Sequence, residues 1–161
     1  MEGDAATDIE IAEFAGQLFF RLWRASHVQT SEALGSIGLT PALFGVLNVL
    51  ATREGAIQQE LGSAMGIDPS TMVSLIDELE VKGLAKRRPH PDDRRARQVT
   101  ITRKGRRTLE QARKLALAAE DDVLRGLSAK ERRDLLRLLR QAFEAAPPQP
   151  LWNAAEGDQP A

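Results

Sequence analysis

Between Lys82 and Arg107 the sequence holds eleven lysines and arginines against two acids, Asp92 and Asp93, a local charge of +9. The rest of the chain has eleven basic and twenty-one acidic residues, so a protein of net charge −1 gathers its cations into one short stretch. A concentrated basic face attracts a polyanion, because its summed potential acts on a phosphate backbone before contact is made. The plainer reading of a charge run is a solvated surface. Here the run also contains two strand-like segments, 84–88 and 98–101, which would order it.

Other chemistry finds few residues to carry it. There is no cysteine, which excludes a disulfide scaffold, a thiol nucleophile, a thiolate metal site and a thiol redox sensor. Two histidines leave little for a zinc centre, so neither a metal nor a cofactor is expected. His90 stands between two prolines with no evident partner. The pairs Asp92-Asp93 and Asp121-Asp122 are adjacent in sequence and point in different directions rather than onto one substrate. No glycine-rich phosphate loop, HExxH or calcium-loop pattern occurs. An enzyme is therefore not expected, and no catalytic residue is proposed.

The elements around the basic segment are mainly helical. Ile11, Phe14, Ala15, Leu18 and Leu22 recur at three and four, which predicts a helix over 8–34, with Phe19 and Trp23 widening its apolar stripe. Gly35 to Gly38 break it. Thr40-Pro41 and Asp68-Pro69 each read as an N-cap followed by proline at the first helical position. They predict helices over 41–52 and from 69 to about 82, the second stopped by Gly83. A short helix over 57–65 and the tight Gly66-Ile67 connection precede the latter. Thr102 caps a long helix to about 127. Ser128-Ala129-Lys130-Glu131 is a capping box that opens a last helix. Residues 147–161 hold four of the eight prolines and are expected to be a mobile tail, as 1–7 are a frayed start.

Helix 57–65, the Gly66 turn and helix 69–82 form a helix-turn-helix, and the basic hairpin beside it forms a wing. The second helix of such a pair lies in the DNA major groove with its first residues nearest the base edges. That turn must be small and polar, and here it offers Ser70, Thr71 and Ser74 beside Val73. The fold class expected is mainly α: a winged helix-turn-helix with long N- and C-terminal dimerisation helices and one small β-hairpin wing.

Residues 38–102, with GLTPALFGVLNVL, QQELGSAMGIDPSTMVSLIDELEVKGL and RRPHPDDRRARQVTITRKG, resemble the winged helix-turn-helix of the MarR (multiple antibiotic resistance regulator) family of bacterial transcription factors. The wing segment DDRRARQVTITRKG is the specific part of that likeness. The resemblance implies a homodimer that binds palindromic operator DNA, usually as a repressor, and is often relieved by a small anionic or phenolic ligand. It also implies a wing-tip arginine in the minor groove, oriented by an aspartate two residues earlier. Counted back from Val99–Thr102 these are Asp93 and Arg95; the other register is Asp92 and Arg94. Arg94 and Arg97 would meet phosphates. Where many relatives carry an arginine on the recognition helix this chain has Ser74, which cannot read guanine bidentately.

The terminal helices are apolar on wide faces, which predicts a dimer. The expected division is 1–7, a dimerisation helix in 8–37, a DNA-binding unit in 38–102, dimerisation helices in 103–146 and a tail. The family's effector site would lie between dimer helices and winged unit, with Arg21, Trp23, Arg24 and His27 as candidates. Trp23 and His27 are four apart and share a helix face. The plainer reading makes Trp23 core and His27 a rim residue. Other functional readings are a regulator without a ligand and a winged-helix module that binds protein. No apolar run approaches the roughly 18 residues of a membrane span, and the acidic start lacks a secretory n-region, so the expected compartment is the cytoplasm.

Overall fold

The computed structural model describes residues 14–53, 55–89 and 97–146. The expected helix start at residue 8, the wing tip and the C-terminal tail lie outside them. The order of elements is α1 (Ala15–Gly35), α2 (Pro41–Thr52), β1 (Ala56–Ile57), α3 (Gln58–Met65), α4 (Pro69–Val81), β2 (Ala85–Pro89), β3 (Arg97–Ile101), α5 (Arg103–Val123) and α6 (Ala129–Ala145).

Local chemistry sets most boundaries. The Thr40 hydroxyl accepts the Leu43 N–H at 3.2 Å, and Pro41 begins α2. The Thr102 hydroxyl accepts the Gly105 N–H at 2.9 Å and opens α5. At α6 both halves of the capping box form: Glu131 N–H donates to the Ser128 hydroxyl, and Ser128 N–H donates to Glu131 Oε2 at 2.8 Å. The Ser128 hydroxyl and N–H hold the Glu131 carboxyl below its ordinary range. Each arrangement satisfies amides that a helix start leaves without intrahelical partners.

One core joins these elements. Leu34 of α1, Leu43, Leu47 and Leu50 of α2, Leu61 of α3, and Met72, Ile76 and Leu79 of α4 are fully buried together, with Val99 of β3 among them. Truncating one such leucine to alanine costs about 2–5 kcal/mol, from lost transfer energy and the cavity left behind.

The sheet is antiparallel with order β1-β3-β2, Ala56 facing Val99 and Arg87 facing Val99 from the other side. The expected hairpin is thus the larger part of a three-stranded sheet. Ala56 and Ile57 pair with β3, so Ile57, expected to begin the helix, is strand and the helix starts at Gln58. The long helix ends at Val123 rather than near 127. Arg132 explains the stop: its guanidinium pairs with Asp121 and donates to the Leu127 carbonyl at 3.2 Å, folding α6 back across the turn.

α1 packs along α5. Yet Phe14, Phe19, Phe20 and Trp23 are more than half exposed, as are Leu138 and Phe143 of α6, and no residue of α6 is buried. Both helices therefore show apolar faces that their own chain leaves open. No described helix is long and apolar enough to cross a membrane.

Candidate nucleic-acid interface

The helix-turn-helix is built by α3, one glycine and α4. Gly66 takes φ 64°, a left-handed conformation that glycine adopts without a Cβ penalty, and closes α3. Ile67 is buried just after it and fixes the angle at which the chain re-enters. Asp68 then caps α4: its Oδ1 accepts the Thr71 N–H at 2.9 Å and the Ser70 hydroxyl at 2.5 Å. The Ser70 hydroxyl, then the side chain and backbone amide of Thr71, hold the Asp68 carboxyl well below the usual carboxylate range.

α4 is divided lengthwise. Met72, Ile76 and Leu79 face the core, while Ser70, Thr71, Val73, Ser74 and Asp77 face outward. The four sequence-identified residues of this helix therefore share one exposed surface. They are not equally free. The Ser70 hydroxyl is given to Asp68, and the Ser74 hydroxyl donates to the Ser70 carbonyl at 3.2 Å. The apolar member, Val73, stands 39% exposed in the middle of this polar turn.

Of the wing residues, Arg97 opens β3 opposite Pro89 with its side chain exposed. Asp93, Arg94 and Arg95, and with them the question of register, lie outside the described residues. β2 follows α4 after Gly83 and packs against it, so the described root of the wing lies beside the recognition helix.

Arg87 ties β2 to both helices of the pair, and sequence reasoning did not single it out among its basic neighbours. Its backbone N–H donates to Glu80 Oε1 at 2.7 Å and its Nη1 to Glu80 Oε2 at 2.6 Å. Nη1 also pairs with Asp77, Nε donates to Gln58 Oε1 at 3.1 Å, and Nη2 to the Val73 carbonyl at 3.3 Å. Burial alone would lower the Arg87 pKa, but the carboxylates of Asp77 and Glu80 outweigh it and raise it. The Arg87 backbone amide and then its side chain hold Glu80 below its ordinary value. The signal available in the sequence was Asp77 and Glu80 themselves: two acids on a helix expected to meet phosphates call for a cation to neutralise them.

The candidate effector residues lie on α1. Trp23 and His27 stack with ring centroids 5.2 Å apart, and Phe20 lies 6.1 Å from Trp23. Trp23 is 59% exposed, so within the single chain it is not core. A hollow of about 210 Å³ lies between α1, α5 and α6, lined by Leu22, Trp23, Ser26, Glu120, Leu135 and Leu139 among others. Trp23 is the one sequence-identified residue that borders it; Arg21, Arg24 and His27 do not.

A buried helical core, a Gly-turned helix pair and a basic hairpin on one side define a winged-helix DNA-binding protein. Residues 37–96 match the MarR family model. A Thauera aromatica protein named for transcriptional regulation of the hcr operon is 33% identical over 133 residues, covering 80% of each chain. The transcriptional repressor CouR bound to a 23-mer DNA duplex superimposes with a TM-score of 0.73 at 32% identity, over 84% of this chain and 95% of that one. CouR from Rhodococcus jostii bound to p-coumaroyl-CoA superimposes with a TM-score of 0.70 at 26% identity, over 86% and 98%. The chain belongs to the MarR family: it is a DNA-binding transcriptional regulator, not an enzyme.

Proposed function

We propose that the protein is a cytoplasmic homodimeric repressor of a palindromic operator, released by a small aromatic or anionic ligand. The N-terminal turn of α4 enters the major groove with Ser70, Thr71, Val73 and Ser74 toward the bases. The wing tip enters the adjacent minor groove through Arg95, held by Asp93, with Arg94 and Arg97 on phosphates. A narrow A·T-rich minor groove has enhanced negative potential and attracts a guanidinium. With serine at position 74, groove shape and the wing carry more of the discrimination than bidentate guanine contacts do.

The observation that carries this reading is the exposed polar face of α4 flanked by a hairpin that leads into a basic tip. Repression by CouR, and its structure on a duplex, support it. The uncovered apolar faces of α1 and α6 support the dimer, with 8–37 and 103–146 as dimerisation segments around a DNA-binding unit at 38–102. Two copies joined there would set their recognition helices about one DNA turn apart, roughly 34–36 Å.

The ligand reading rests on the aromatic row Phe20, Trp23 and His27 with Arg21 and Arg24 on the same helix. An aromatic wall beside guanidinium groups suits an aromatic ring that bears an anionic group. The CouR complex with p-coumaroyl-CoA supports that class. To act, such a ligand must bind the DNA-incompetent dimer more tightly, since equal affinity shifts no population.

Selection of duplexes from a random pool by the purified protein tests the proposal. A recovered inverted repeat, with affinity lost in Arg95→Ala, is the expected result. An Arg95→Ala affinity within twofold of the parent would remove the wing from the interface. Titration of p-coumaroyl-CoA into the complex tests the ligand class, and a complex that persists at saturating thioester contradicts it.

A further inference from the structure

We propose that Arg87 is the positioning residue of the interface: it locks the angle between recognition helix and wing and masks two carboxylates, without itself meeting DNA. The inference rests on α4 and the wing forming the DNA-binding face.

Every nitrogen of this guanidinium is committed. Nε reaches Gln58 of α3, Nη1 reaches Asp77 and Glu80 of α4, and Nη2 reaches the Val73 carbonyl in the turn that faces outward. The backbone N–H of the same residue holds the second oxygen of Glu80. Both helices of the pair and the first strand of the wing thus converge on one planar group. Its side chain is only 21% exposed, whereas its neighbours Lys86 and Arg88 are exposed. Four of the five guanidinium N–H donors are thereby engaged, which leaves at most one, on Nη2, for any outside acceptor.

The electrostatic role follows from where the acids sit. Asp77 and Glu80 are one and two turns beyond the residues that face the bases, and Asp77 is 56% exposed. Bare carboxylates there would repel the phosphates on either side of the groove. Arg87 offsets half of that charge in place and holds both carboxylates turned onto itself. Lysine could not replace it, because an ammonium is a compact charge that cannot span three elements as a rigid fork does.

Two substitutions separate this role from the alternatives, each measured by fluorescence anisotropy on two duplexes of equal length: one recovered by selection with the unaltered protein, and one of mixed sequence. Arg87→Lys keeps the charge and loses the fork. The expected result is about tenfold weaker binding to the selected duplex, within the range for residues in one network. Binding to the mixed duplex and the dependence on salt should stay as they were. Affinity fully retained by lysine would show a simple phosphate contact and overturn the proposal. Glu80→Ala removes a negative charge beside DNA, so charge alone would tighten binding. The proposal requires it to weaken binding to the selected duplex severalfold, and unchanged or tighter binding overturns it. This variant decides the matter if Arg87→Lys fails to fold by circular dichroism. Failure of the unaltered protein to bind any duplex would instead sink the interface reading, and the inference with it.

Discussion

Gly105, in the first turn of α5, lies so close to the Leu84 carbonyl oxygen that a Cβ there would overlap it. The same oxygen accepts the Thr102 N–H at 3.0 Å, and the Thr102 hydroxyl donates to the Gly83 carbonyl at 2.8 Å. Lys104 adds a bond from Nζ to the Lys82 carbonyl at 2.7 Å. The end of the recognition helix, the root of the wing and the start of the long helix are joined here by backbone. A change in α5 has a direct physical route to the DNA-binding unit.

Gly105→Ala should therefore destabilise the protein by about 1–3 kcal/mol, the usual cost of overpacking a closed site. Its operator affinity should fall as well, because the Leu84 backbone must move and β2 moves with it. Gly126→Ala is the control, since a Cβ there meets nothing within 4 Å. Urea melts of both variants check this, and equal midpoints would contradict the tight seating of Gly105.

Asp68→Ala should fray the first turn of α4, where Ser70, Thr71 and Val73 sit, and weaken operator binding more than it lowers the melting temperature. Asp68→Asn keeps an acceptor for the Thr71 N–H and should recover most of the binding. Anisotropy titrations of both variants against the parent decide it. Equal losses in the two would show that capping is not what matters.

The cap has a pH signature with a definite sign. The Asp68 carboxyl is held below its ordinary value in the folded chain, so its contribution to stability is fully present above the unfolded pKa of about 3.9. It is lost as pH falls through the lower folded value. Glu80 and Glu131 are shifted the same way and act with the same sign. Stability should thus be insensitive to these groups from pH 6 to 8 and decline below about pH 4. The gap between parent and Asp68→Ala should shrink over that acid range in urea melts.

Leu138→Glu combined with Phe143→Glu should halve the mass measured by light scattering. Leu138 and Phe143 are 53% and 70% exposed in the single chain, so charges there disturb no core of their own. The helical signal should persist apart from elements that need the partner. A dimeric mass in the double variant would move the interface away from α6.

Features written in short-range chemistry are legible in the sequence itself. Thr40-Pro41, Asp68-Pro69, Thr102 and the Ser128–Glu131 box all sit where their side chains bond amides within three residues. β1 was not legible, because Ala56 and Ile57 are too few to show a period and are fixed only by pairing with Val99 and Gln98, more than forty residues away. The end of α5 was overrun because Leu124 and Leu127 continue its apolar spacing, while Arg132, which folds the chain back, lies beyond it. In the site, the outward face of α4 followed from periodicity. Arg87 was hidden as one of eleven cations, since what sets it apart is its carboxylate partners seven and ten residues earlier on another element.

The most direct measurement is the affinity of the purified protein for its selected duplex, followed by anisotropy across a range of salt. Binding should weaken linearly on logarithmic axes with a slope of about −0.9 for each phosphate neutralised, several per dimer. Arg95→Ala should bind less tightly with a shallower slope. A protein that leaves every duplex unbound at low ionic strength, or whose binding ignores salt, would contradict an interface built from α4 and a basic wing.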